Sequence, residues 1–146
     1  MPRTRATRSK YAVFSKLSTR WSDNDAYGHM NNVVYYELVD TVVNVWLRDA
    51  VGMKVPGGDV IGLVVETGCV YHASLGWPEP VDVGLIVERI GNTSITYAVG
   101  IFGADSDEAA GEARFTHVYV DAETRRPVAI PDALRTAAEK ILAEAK

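Results

Sequence analysis

Between Arg20 and Tyr36 the chain reads RWSDNDAYGHMNNVVYY, which gathers Asp23, Asp25, His29, Asn31 and Asn32 into one short stretch. A carboxylate can attack a carbonyl carbon itself or activate water, and a neighbouring imidazole can orient it or donate to the carbonyl oxygen. Asp, Asn and Gly favour tight turns because they tolerate positive φ or bond their own backbone. Asn31 or Asn32 is the natural N-cap of a following helix, since a side-chain oxygen there accepts from an orphan N–H. A helix N-terminus also carries partial positive charge and free N–H groups. Asp25 therefore stands before an anion-stabilising pole, an arrangement suited to acyl transfer, in which an oxyanion develops. Turn formation and capping alone require fewer polar groups than this stretch holds.

Such a turn needs a frame. Residues 11–21 alternate between two faces and predict a first strand. Residues 32–50 are rich in β-branched and aromatic types, yet Glu37, Asp40, Thr41, Asn44 and Arg48 recur at helical spacing as one narrow polar stripe. The periodicity predicts a long, largely apolar helix with Gly52 as its C-cap. The Pro and Gly of residues 54–59 predict a loop, and residues 60–73, 81–90, 93–104 and 111–121 predict four strands. Pro131 and Asp132 open a last helix whose apolar face is Leu134, Ala138, Ile141 and Leu142. The expectation is an α+β domain in which an antiparallel sheet of about five strands wraps one long helix. A helix this apolar and open edge strands call for a partner copy, a homodimer or homotetramer.

The run D-x-D-x-x-G-H-x-N-N and the apolar helix after it resemble the hotdog-fold thioesterases of the 4-hydroxybenzoyl-CoA thioesterase type. The likeness extends from about residue 12 to about residue 140. It takes in Val70-Tyr71 before Trp77-Pro78, the run GNTS from Gly91 to Ser94, VDAETRRP from Val120 to Pro127, and Ala129-Ile130-Pro131. GHMNN is closer to the broad acyl-CoA branch. The resemblance implies a hotdog fold, sites between subunits, and hydrolysis of an acyl-CoA to free acid and CoA, with Asp25 as its carboxylate. Coenzyme A would enter as part of the substrate, and no separate cofactor is expected. By the same analogy Gly28 lets backbone approach the substrate carbonyl and the Asn32 N–H is the candidate oxyanion donor.

Around this centre, Asp23 reads as structural, and His29 reads equally as an orienting group, a donor or a hydrogen-bonded turn residue. Asn31 is a candidate for binding substrate or for the cap alone. Tyr27, Tyr35, Tyr36 and Trp77 are candidates for an acyl pocket or for core. Glu66 is a charge on an apolar strand, either in a salt bridge or at a partner's site. Arg125 and Arg126, and more weakly Arg89, are candidates for holding CoA phosphates or are a solvated basic pair, and Ser94 either contacts CoA or hydrates an exposed face. His72 and His117 lack ligand spacing, so no metal is expected. Hotdog hydratases pair Asp with a His five residues on and a Pro between. Here Asp25 precedes His29 by four and no Pro intervenes, which favours hydrolysis over a lyase or a non-catalytic acyl-CoA-binding domain.

Composition sets the remaining bounds. The 146 residues suit one domain, and no run approaches a membrane span. A single cysteine, Cys69, excludes an internal disulfide and points to a reducing cytoplasm. The net charge is −4, and without Arg3, Arg5, Arg8 and Lys10 it is 11 bases against 19 acids, or −8. That balance argues against nucleic acid as a partner. Residues 1–10 are expected as a disordered basic leader, and 11–146 as the domain.

Overall fold

Alternation along the strands decides which side of the sheet is core. Val81, Val83, Leu85 and Val87 of one strand and Ile95, Tyr97, Val99 and Ile101 of the next are all at most 1% exposed. Their inner faces form one apolar floor. The structure, a computed structural model, describes residues 4–144. Its strands are β1 (Val13–Leu17), β2 (Val60–Tyr71), β3 (Val81–Ile90), β4 (Ser94–Gly103) and β5 (Gly111–Asp121). They form one five-stranded sheet in the order β1-β3-β4-β5-β2, with every neighbouring pair antiparallel.

Helix α1 (Asn32–Trp46) lies on that floor and continues as a π-turn, Leu47–Val51, closed by Gly52 in the left-handed region. Val34, Tyr35, Leu38, Val39, Val42, Val43 and Trp46 are its buried residues. Each fully covered aliphatic side chain among them contributes about 1.5–3 kcal/mol. This burial overrides the β-propensity of the segment. The far side, with the polar stripe and Val33 at 65% exposed, is open in the single chain.

Two expectations need correction. Residues 4–10, expected as a disordered leader, are folded against the sheet: Thr7 bridges Glu108, and Arg8–Lys10 form a short 3-10 turn. The Arg5 and Arg8 side chains are anchored by carbonyls and Asp82, which a composition-based reading does not register. Residues 1–3 lie outside the described residues. The last helix, α2 (Asp132–Lys140), ends before Ile141 and Leu142, which leave its face. Five-residue β1 covers β3 only as far as Leu85, so residues 141–143 fill the open edge at Val87. Among the described residues no helix is long and apolar enough to cross a membrane.

Candidate active site

The Asp25 turn is built by local hydrogen bonds. The Asp25 N–H donates to the His29 carbonyl at 2.7 Å, and the Gly28 N–H donates to the Asp25 carbonyl at 3.2 Å. Gly28 sits at φ +79° with open space around it, so glycine is required by conformation there and not by crowding. Asp25 Oδ1 accepts from the Tyr27 N–H at 2.8 Å and the His29 N–H at 3.3 Å. Its other oxygen makes no hydrogen bond among the described residues. His29 thus steadies Asp25 through its backbone, and its exposed imidazole has no partner among the described residues.

Asp23 behaves differently. It is 4% exposed and takes the Arg20 backbone N–H at 2.8 Å and the Arg20 guanidinium at 2.9 Å. Its carbonyl receives the Asn31 N–H at 2.8 Å, which fixes where the helix begins. Asn31 is the N-cap: its side-chain oxygen accepts from Val33 N–H at 3.0 Å and its carbonyl from Val34 N–H at 2.9 Å. The Asn32 N–H is left without an acceptor among the described residues.

These groups converge on a cleft of about 360 Å³ lined by Asp25, His29, Met30, Asn32, Tyr35, Tyr71, His72, Ala73 and Ser74. One wall is the end of β2 and the residues after it. It is anchored by the His72 and Ala73 N–H groups, which donate to the Ala110 carbonyl at 2.8 and 3.2 Å. Tyr35 lies buried against Gly111, where a side chain would begin 3.0 Å from its ring, and its hydroxyl donates to the Ala73 carbonyl at 3.3 Å. Burial pushes the Tyr35 phenol up to about 12, so it remains a donor. The Tyr71 hydroxyl donates to the Asn32 carbonyl at 3.2 Å and its ring meets Tyr35 edge-on at 4.9 Å. A second cleft of about 530 Å³ shares His29 and Ser74 with the first and continues past Gly28, Leu75 and Gly76 to Gly103–Ser106.

Asp25, His29, Asn32 and Tyr35 are therefore brought together, with Gly28 beside them. Tyr27 is 84% exposed and absent from the first cleft's lining; only its N–H serves Asp25. Trp77 packs edge-on with Trp21 at 5.4 Å. Glu66 sits exposed at a bulge in the middle of edge strand β2 and makes no ion pair among the described residues. Arg89, Ser94, Arg125 and Arg126 lie elsewhere. The cleft is at the end of the sheet where Tyr71 pairs with Gly111 and Val81 with Gly103. Ser94 pairs with Val118 at the other end, roughly 30 Å away at about 3.4 Å per residue along β4. Arg125 and Arg126 are at that end too, exposed in the turn after β5, with Arg125 at φ +64°. One chain does not bring them to Asp25.

The sequence reading missed Met30, Tyr71, His72, Ala73 and Ser74. Tyr71 was visible within a recognisable run, but only the β2–β5 register places it over the helix start.

The thioesterase-like superfamily matches residues 19–138. The chain belongs to the thioesterase-like superfamily. The PA5185 protein from Pseudomonas aeruginosa strain PAO1 superposes with a TM-score of 0.95 at 44% identity, over 98% of this chain and 100% of that one. PA2801, a suggested thioesterase of the same organism, gives 0.80 at 25% identity over 85% and 95% of the two chains. Slr0204, a 1,4-dihydroxy-2-naphthoyl-CoA thioesterase from Synechocystis, gives 0.78 at 16% identity over 88% and 96%, which speaks for the hotdog fold alone. No curated protein matches the chain. For this thioesterase-like chain, thioester hydrolysis is the general activity its family indicates.

Proposed function

We propose that the protein hydrolyses acyl-CoA thioesters, with Asp25 delivering the attack and the Asn32 N–H receiving the oxyanion. The observation that carries this is the meeting, in one cleft, of a carboxylate oxygen and a helix-terminal N–H that both lack protein partners among the described residues. An anchored carboxylate facing a preorganised donor is what acyl transfer uses. Asp25 takes a proton from water, the water oxygen bonds the thioester carbon, and the carbonyl electrons move onto the oxygen facing Asn32. Collapse breaks the C–S bond, and the sulfur leaves with the proton that Asp25 held. Attack by Asp25 itself would instead pass through a mixed anhydride, and ¹⁸O water separates the routes. In a single turnover, direct water attack labels the first product acid, whereas an anhydride opened by water at the Asp25 carboxyl carbon puts the label first in the enzyme.

The working unit in this reading is a homodimer. Strand β2 is an unpaired edge, and Val64 and Val65 at its middle are exposed. Two-fold antiparallel pairing about that middle sets Tyr71 of one chain opposite the partner's Val60. Val60 is the residue that pairs with Asp121 at the start of the 121–126 turn. The partner subunit's Arg125 and Arg126 would then come to the cleft that their own chain cannot reach, as the holders of the CoA phosphates. A panel of short, long and aryl acyl-CoAs, assayed for free thiol, tests the proposal. No turnover on any of them would refute it.

A further inference from the structure

The segment before β1 is tied down by more bonds than burial of its few apolar residues requires. Arg5 Nε donates to the Ala109 carbonyl at 2.9 Å, and the Ala6 N–H donates to Glu112 at 3.2 Å. Arg8 is the most connected residue. Its Nε donates to the Ser106 carbonyl, one terminal nitrogen to the Gly103 carbonyl and the other to Asp82, each at 2.9 Å. Its guanidinium carbon also lies 5.0 Å from the centre of the Phe102 ring. A planar fork that satisfies separate acceptors in fixed directions is a task for Arg that Lys cannot perform.

The loop that Arg8 grips is part of the site. Gly103–Ser106 lines the cleft of about 530 Å³ that Gly28 and His29 also line. Behind it, Leu75 Cδ2 sits 3.5 Å from the point where Gly103 would carry a side chain. The Leu75 carbonyl accepts from Met30 N–H at 2.7 Å, one residue from His29 and two from Asn32. We propose that Arg8 is a positioning residue for the catalytic turn, holding Gly103–Ser106 against Leu75 and, through Leu75, the segment from Asp25 to Asn32. Hydrogen bonds make the links from Arg8 to the loop and from Leu75 to Met30, and between them Leu75 and Gly103 stand side by side in the lining of the same cleft. The kinetic consequence rests on the hydrolase reading above. The structural one does not.

The test compares Arg8→Ala and Arg8→Lys with Lys16→Ala. Lys16 also pairs with Asp82, at 3.2 Å, and makes no hydrogen bond to a loop carbonyl among the described residues. Hydrogen exchange is followed at the Asp25 and Met30 amides, with the Tyr119 and Ile130 amides at the far end of the sheet as references for global opening. Both Arg8 variants should exchange roughly tenfold faster at Asp25 and Met30 relative to those references, and Lys16→Ala should not. In the same variants kcat should fall by about tenfold or more, the scale of a sub-ångström misplacement, while KM changes less. Should Arg8→Ala fail to fold, Arg8→Lys carries the comparison, since it keeps the charge beside Asp82. Unchanged relative exchange in the folded Arg8 variant overturns the proposal, as does an equal rise in Lys16→Ala. A wild-type protein that turns over no thioester removes the hydrolase reading and leaves the exchange result to decide the positioning role.

Discussion

Replacing each aspartate of the turn by asparagine should separate rate from stability in opposite directions. In Asp25→Asn the amide oxygen still accepts from the Tyr27 and His29 N–H groups, which now meet a neutral acceptor. Charge-assisted bonds are about twice as strong as neutral ones, so two partly exposed bonds weakened this way cost about 1 kcal/mol. The unbonded oxygen becomes an NH₂ group that cannot take a proton or attack carbon. The loss of a positioned base is about 10²-fold or more in kcat, about 2.7 kcal/mol of barrier, with little change in KM. Asp23→Asn does the reverse. Its carboxylate is 5% exposed and holds Arg20, so removing the charge leaves the guanidinium without its inner partner. The Arg20 guanidinium is 59% exposed, so water screens part of that loss, but the buried Asp23 carboxylate also gives up the charge in its bond from the Arg20 backbone N–H, and stability should fall. Urea titration gives the stability and thiol release from acyl-CoA the rate, each measured where the protein is fully folded. Full kcat in Asp25→Asn would end its catalytic assignment. A larger kcat loss in Asp23→Asn than in Asp25→Asn would show that the two roles are exchanged.

The double replacement Arg125→Ala, Arg126→Ala should raise KM for acyl-CoA about tenfold and leave kcat nearly unchanged, because contacts remote from the reacting carbon hold ground and transition states alike. An unchanged KM removes both from the site. In sedimentation the wild type should run heavier than the 15.9 kDa chain, and Val64→Lys with Val65→Lys should run as the single chain. A monomeric wild type contradicts the β2 pairing. His117 is 2% exposed among Phe115, Tyr97 and Tyr119, and burial lowers it from 6.5 to about 4. Between those values the unfolded chain binds a proton that the folded one refuses, so stability falls as pH drops from 6.5 to 4, by about 3 kcal/mol in all. His117→Gln should flatten that part of the stability profile, and parallel profiles for the two proteins would refute the assignment.

What the sequence showed and what it concealed have separate physical causes. The helix was legible because its polar stripe has a helical period, and the strands because alternation and Gly or Pro punctuation are local signals. The start of the cleft was legible for the same reason, since Asp25, His29 and Asn32 lie within one turn of chain. Its opposite wall was not. Tyr71 to Ser74 reach Asn32 through strand register and the bonds of residues 72 and 73 to Ala110, and register leaves no mark in composition. The basic N-terminal segment misled for a related reason. Charge without apolar residues reads as solvated chain, whereas Arg8 is held by carbonyls of a loop nearly a hundred residues away in sequence.

The doublets in the turn suggest redundancy, two aspartates and two adjacent asparagines, and the geometry divides each pair instead. Asp23 faces inward and spends both carboxylate oxygens on Arg20, while its carbonyl sets the start of the helix. That leaves Asp25 with one oxygen anchored by backbone and the other without a partner among the described residues. Asn31 likewise takes the capping duty for Val33 and Val34, which leaves the Asn32 N–H without an acceptor among the described residues. A lone Asp asked to close the turn would have its oxygens consumed by it. A lone Asn at the cap, followed by a residue whose N–H found a side-chain partner, would leave no donor for an oxyanion. The free carboxylate oxygen and the free N–H therefore depend on neighbours that meet the structural demands of the turn. An unsatisfied group at a helix end costs stability unless water or a ligand takes it up. Here the two residues that carry these groups, Asp25 and Asn32, line the same cleft, and the proposed hydrolysis would use both.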